Sequence, residues 1–190
     1  MDGEKYIEII RPRMSERRFI HSLNVAEEAV RLCDRYGGDR EKAYTAGILH
    51  DIMKEADPNL QLQILSENGI ILDIVSQNSQ KLWHAKSGAA FCKYILHIED
   101  EDIINAISYH TTARAGMSLL EKIIYLADYI GEDRNYPGVE QMRSAVKDSM
   151  ESGMEFSLSF SIIDLVKRKK PVHPDTMAAF NELFLKEKNG

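Results

Sequence analysis

Residues 15–38 read SERRFIHSLNVAEEAVRLCDRYGG, and this stretch decides the fold class. Phe19, Leu23, Ala26, Val30 and Cys33 recur at three- and four-residue spacing, which lines one face of a helix. Ser15 is an N-capping residue type, and Gly37-Gly38 is a stop signal. Working outward, similar punctuation returns along the chain. A second helix is expected after Asp39, carrying Ala43 to Met53 and ending before Asp57-Pro58, and a third runs from about Pro58 to Asn68 with Gly69 as its break. Further helices are expected near His84–Leu96, Asp100–His110, Ser118–Ile130, Gly138–Lys147, Ser149–Lys167 and Pro174–Lys186. Only Gly69 to Ser76 has the β-branched richness of a strand, and one solitary strand makes no sheet. The expectation is an all-α chain in a single domain, residues 1–190, with a core over about 15–135 and C-terminal helices over about 138–188.

Composition narrows the class of function. Of the 190 residues, 44% are hydrophobic and 28% charged, the mix of a water-soluble globular domain. No apolar stretch approaches the ~18 residues that a membrane span needs, and Met1 to Tyr6 lack the basic-then-apolar pattern of a signal peptide. A cytoplasmic protein with no membrane partner is expected. Cys33 and Cys92 are too few for a disulfide framework or a Cys-rich zinc site, and read as two reduced core thiols. A net charge of −6 argues against nucleic acid as a partner, since that binding relies on Lys and Arg neutralising phosphates. A small phosphate ester in a locally basic pocket is compatible with it.

The chemistry concentrates where ionisable groups interrupt apolar helices. His50-Asp51 ends the run Ala43-Tyr44-Thr45-Ala46-Gly47-Ile48-Leu49, where an ionisable pair costs free energy unless a partner or a metal compensates. A capping Asp beside a hydrogen-bonded His is the plainer alternative. Lys54 lies four residues after His50 and three after Asp51, so all three side chains can share one helical face. Asp128 sits inside Ile123-Ile124-Tyr125-Leu126-Ala127-Asp128-Tyr129-Ile130, apolar nearly all round, so its carboxylate needs either a metal or an arginine. His110 follows Ile103, Ala106 and Ile107 on one face, His21 borders the stripe of the first helix, and His84 follows Leu82-Trp83. Four histidines and two aspartates on inward faces of five helices point to metal more than to packing. His97, at a polar helix end, and His173, between Val172 and Pro174 in a turn, read as non-catalytic.

These residues resemble a known pattern. The order His21 … His50-Asp51 … Asp128 is similar to the metal signature of the HD-domain phosphohydrolase superfamily. Longer phrases resemble the bacterial YqeK family within it: Arg18 to Leu23, Gly47 to Lys54, Leu82 to Ala85, Ile107 to Thr112, Glu121 to Ile130 and Arg134 to Val139. The likeness covers most of residues 6–170, with one departure at Gly131-Glu132-Asp133, where the family commonly has Glu-Pro. The resemblance implies a helical HD domain with a binuclear, iron-type centre that cuts diadenosine tetraphosphate symmetrically into two ADP. It implies His21, His50, Asp51 and Asp128 on one ion and His84 and His110 on the second, with Asp51 bridging. An all-nitrogen-and-oxygen shell suits iron, manganese or another first-row ion.

On that reading a hydroxide bridging two ions attacks phosphorus in line, with Asp51 and Lys54 as the catalytic side chains. Expected substrate contacts are Arg17, Lys54, Thr111, Arg114, Arg134 and Arg143. The alternatives are an HD hydrolase of another nucleotide or alarmone, a non-catalytic nucleotide sensor, and a helical interaction module with structural histidines. A homodimer is possible, though no helix carries a heptad pattern that compels one.

Overall fold

Short polar side chains begin most of the helices in the computed structural model, which describes residues 5–186. The elements are α1 (Lys5–Ile10), α2 (Glu16–Tyr36), α3 (Arg40–Leu49), α4 (Pro58–Glu67), α5 (Ile74–Gln77), α6 (Trp83–Ala90), α7 (Glu101–Tyr109), α8 (Leu119–Ile130), α9 (Val139–Asp148), α10 (Met150–Lys167) and α11 (Pro174–Lys186). The side chains of Ser15, Asp39, Asp57, Asp73, Asp100, Ser118 and Ser149 each accept a hydrogen bond from a backbone N–H in the first turn that follows. At α8, Glu121 returns the favour to the Ser118 N–H and closes a capping box. The chain is all-α, with no strand among the described residues. Met1 to Glu4, and the last two residues of the expected C-terminal region, lie outside them.

Three boundaries differ from the sequence reading. The second helix stops at Leu49 instead of Met53. Residues 50–56 continue in tight turns, with Ile52 N–H bonded to Leu49 O, Lys54 N–H to Asp51 O and Ala56 N–H to Met53 O. Residues 70–73 are irregular, and Ile74 to Gln77 is helical because Asp73 caps it. Beyond Ala90 the chain widens into a turn bonded five residues apart, Leu96 N–H to Phe91 O.

Helix α2 packs on α3 and α8, α3 on α7, and α6 on α4 and α7; α9 and α10 join this core through α8, and α11 packs on α10. Ile48, Leu49, Ile52, Ile107, Ile123, Ile124 and Leu126 are fully buried between these helices. Each such side chain contributes about 1.5–3 kcal/mol over an exposed one. The α2–α3 contact is close. A Cβ on Gly47 would stand 2.5 Å from the Ala26 Cα, so only glycine allows this spacing. His21 on α2 and His50 just past α3 are brought to one end of that contact, with ring centroids 5.3 Å apart.

Candidate metal centre

The six expected side chains come together from five parts of the chain. His21 stands in the second turn of α2, His50 and Asp51 follow α3, His84 opens α6, His110 follows α7, and Asp128 lies near the end of α8. All four imidazoles and Asp51 are at most 3% exposed. Three overlapping triads, His21–His50–Asp51, His50–His110–Asp128 and Asp51–His84–His110, each have ligand-type atoms within 4.8 Å of one another.

Backbone carbonyls orient the rings. Nδ1 of His50 lies 2.6 Å from Gly47 O, that of His84 2.8 Å from Lys81 O, and that of His110 2.7 Å from Ile107 O. A carbonyl only accepts, so each Nδ1 carries the proton and each Nε2 presents a lone pair. His21 Nδ1 lies 2.9 Å from Asp133 Oδ2, which leaves its Nε2 2.9 Å from Asp128 Oδ1. Metal-binding histidines are commonly fixed in this way, with the outer nitrogen on a carbonyl or carboxylate.

The inner atoms form a cradle of acceptors. Nε2 of His84 and of His110 are 3.1 Å apart, and 3.2 and 3.5 Å from Asp51 Oδ1. His50 Nε2 and Asp51 Oδ1 are buried with no hydrogen-bond partner. Burial pushes the His84 imidazole down to about 4, despite the pull of Asp51, so it is neutral near pH 7. Facing lone pairs and an orphaned carboxylate oxygen repel one another without a cation, and they fit a first-row metal ion. The cluster fits the metal that the HD signature implies.

Charged neighbours complete the site. Burial opposes ionisation of Asp51 and Asp128, but their imidazole surroundings, and Arg134 beside Asp128, hold both well below the usual carboxylate range. Arg18 Nη1 donates to Asp51 Oδ2 at 2.6 Å, and the Arg134 guanidinium pairs with Asp128 and reaches His21 Nε2 at 3.2 Å. The arginine expected as the plainer partner of Asp128 is thus present beside the imidazoles. Lys54 Nζ lies 3.1 Å from His84 Nε2 and 3.9 Å from Asp51 Oδ1, and burial lowers its pKa. The turns after Leu49 therefore still bring Lys54 to the cluster. A cleft of about 490 Å³ opens over His110, Thr111, Asp128 and Arg134, and the Thr111 Oγ1 is buried without a partner.

Other expected substrate contacts lie elsewhere or are engaged. Arg17 is exposed on α2, one residue from Arg18, which makes the bond to Asp51. Arg114 grips buried Glu121 through two bonds, of 2.6 and 2.9 Å, and lies over the Tyr109 ring. Arg143 donates to the carbonyls of Ile130, Gly131 and Arg134, holding the turn that carries Asp133. His97 is exposed, and His173 is buried but bonded to Asp73, apart from the centre. Sequence reasoning passed over Arg18 and Asp133. A carboxylate five residues after Asp128, just past a glycine, was the available signal, because ligating histidines need an outer partner.

The comparisons agree with this geometry. The family model for the HD domain matches residues 18–133. The symmetrical bis(5'-nucleosyl)-tetraphosphatase of Halalkalibacterium halodurans is 40% identical, over 99% of this chain and all of that protein. The protein of the same description from Bacillus subtilis is 36% identical over 96% of this chain and 98% of its own. A crystal structure from Clostridium acetobutylicum, described as a predicted HD superfamily hydrolase involved in NAD metabolism, superposes with a TM-score of 0.92 at 35% identity, covering 96% of this chain and 97% of that one. With the signature residues gathered and these relatives matched end to end, the chain belongs to the HD-domain family and to its YqeK branch.

Proposed function

We propose that this protein hydrolyses dinucleoside tetraphosphates symmetrically, turning diadenosine tetraphosphate into two ADP, at two metal ions held by His21, His50, Asp51, His84, His110 and Asp128. The observation that carries the reading is the set of inward Nε2 atoms around Asp51 Oδ1, each ring locked by its outer nitrogen. The near full-length likeness to two symmetrical tetraphosphatases supplies the substrate class. Iron is the metal we favour, with manganese or another first-row ion also suited to this shell. Such ions, when bound, supply Lewis acidity that activates water and neutralises phosphate charge.

The chain's own groups do the remaining work. Arg18 fixes one oxygen of Asp51 and leaves the other turned to the histidines. Lys54 Nζ, at the edge of the cradle, is placed to hold the charge that develops on the leaving diphosphate. Thr111 Oγ1 donates to a phosphate oxygen, and Arg134 steadies Asp128 while facing the same cleft. Water adds to one central phosphorus, the bond from that phosphorus to the central bridging oxygen breaks, and each half leaves as a nucleoside diphosphate. Arg114 and Arg143 are left out of this set because Glu121 and three carbonyls already occupy their guanidinium groups. Arg17 is left out because it is exposed and Arg18 takes the inward position.

No helix among the described residues is long and apolar enough to cross a membrane. A nucleotide substrate places the enzyme in the cytoplasm on this reading. Elemental analysis of the purified protein, with chromatography of its diadenosine tetraphosphate products, tests the proposal. Two ions per chain and ADP alone are expected. AMP together with ATP, or no turnover after loading with iron or manganese, refutes it.

A further inference from the structure

Beside the metal centre the cleft changes character. Its inner end carries Thr111, Asp128 and Arg134, and its outer end carries Tyr136, Phe160 and Asp164. A second hollow of about 480 Å³ continues from Phe160 past Phe156 and Ile163. The Phe160 ring lies 5.4 Å from that of Tyr136 and stacks at 6.5 Å, 13° from parallel, on that of Phe156. Gly138, at φ +101°, backs the Phe160 ring, where a Cβ would come 3.4 Å from Cε2. Tyr136, Pro137, Phe156, Phe160 and Ile163 together make a contiguous apolar lining, the kind of surface that marks a ligand groove.

Charge runs along the same line. Arg18, Lys54 and Arg134 gather at the metal end. At the far end stands Asp164, half-exposed and paired with Arg168 at 2.8 Å, and Lys167 lines the adjoining hollow. The rings and the paired carboxylate at the outer end of the cleft suit an uncharged group with hydrogen-bond donors better than a polyphosphate chain, which the three cations at the metal end attract. A nucleotide has the matching polarity: anionic at one end, and at the other a flat π-face with amino donors on its edge. We propose that the aromatic shelf of Tyr136 and Phe160 seats one nucleobase of the substrate, with Asp164 accepting from its exocyclic amino group. This rests on the reading of the centre as a nucleotide hydrolase.

Calorimetric binding of ADP and of inorganic pyrophosphate to the metal-loaded enzyme separates the two ends of the cleft. Wild type is expected to prefer ADP. Phe160→Ala and Phe160→Leu should weaken ADP about tenfold, the order expected for losing one base–aromatic stack. Pyrophosphate affinity and metal content should stay as in wild type, and Phe160→Trp should retain ADP. The leucine variant keeps apolar volume and removes only the π-face, so it remains informative if alanine disturbs folding. Equal binding of ADP and pyrophosphate by wild type overturns the base site. So does a leucine variant that binds ADP normally, or one that loses both ligands together. ADP binding that depends on Phe160, in an enzyme that cleaves no dinucleotide, would keep the base site and sink the reaction. Symmetrical cleavage with KM untouched by Phe160→Leu would do the reverse.

Discussion

Two places in this molecule set buried histidines against carboxylates, and they are built to opposite ends. At the metal centre, His50, His84 and His110 give Nδ1 to a carbonyl and turn Nε2 inward, where Asp51 Oδ1 has no hydrogen-bond partner. At the start of α11, His173 spends both nitrogens within the protein. Its Nδ1 accepts from the Asp175 N–H at 3.1 Å, so its Nε2 carries the proton and donates to Asp73 Oδ2 at 2.7 Å. Ser76 joins the same carboxylate, and Asp73 also caps α5. His173 is 6% exposed and His84 2%, so burial does not distinguish the two places. The uncommitted Nε2 of His50 does. The first place is built to receive a cation, and the second is complete as it stands.

The sharpest way to break this contrast is Asp51→Ala. It should cut turnover roughly 1000-fold and strip the metal, while circular dichroism reports an intact helical fold. Full activity without metal would end the binuclear reading. A smaller effect is expected at Asp133→Asn, which weakens the outer partner of His21. Metal affinity should fall about 10- to 100-fold, read by competition with a chelator, and an unchanged affinity would mean that the ring is held by something else. His173→Ala tests the second place. It leaves Asp73 and Ser76 short of a partner, so denaturant unfolding should show a loss of about 1–3 kcal/mol, with metal content unchanged. Loss of metal there would erase the distinction drawn above.

The smallest expected effect is a pH dependence at the same place. Burial raises the Asp73 pKa, but bonds from Ser76, His173 and the Val75 N–H outweigh it and hold the carboxyl below its ordinary range. A depressed pKa means that the folded state binds the proton less readily than the unfolded chain. Its contribution to stability is therefore present above the unfolded value, near 4, and is lost as pH falls through the folded one. Acid unfolding of Asp73→Asn should be less steep than that of wild type between about pH 4 and 2. Identical slopes would show that Asp73 carries no such linkage.

Much of this was legible before any coordinates. Caps such as Ser15, Asp39, Asp100 and Ser118, with three- and four-residue apolar spacing, located most helices because both signals are local. The six candidate ligands stood out because ionisable groups in apolar helices are costly unless they have partners. Arg134 was legible as a site residue, but the engagements of Arg114 and Arg143 were not. Arg114 chose a buried glutamate seven residues on, and Arg143 chose carbonyls nine to thirteen residues back. Those partners are brought close by the packing of α8 and α9 and leave no trace in spacing. The end of α3 at Leu49 was missed for a related reason. No Gly or Pro stands between His50 and Ala56, so the sequence carries no stop signal where the helix ends.

Gly47 joins fold and chemistry in a single residue. Its missing side chain lets α2 and α3 touch, and its carbonyl holds the proton side of His50. A screen for folding and a screen for activity would return the same answer at this position. Stability and catalysis cannot be traded against each other there, and any redesign that spares the centre must build around a residue with no side chain to vary.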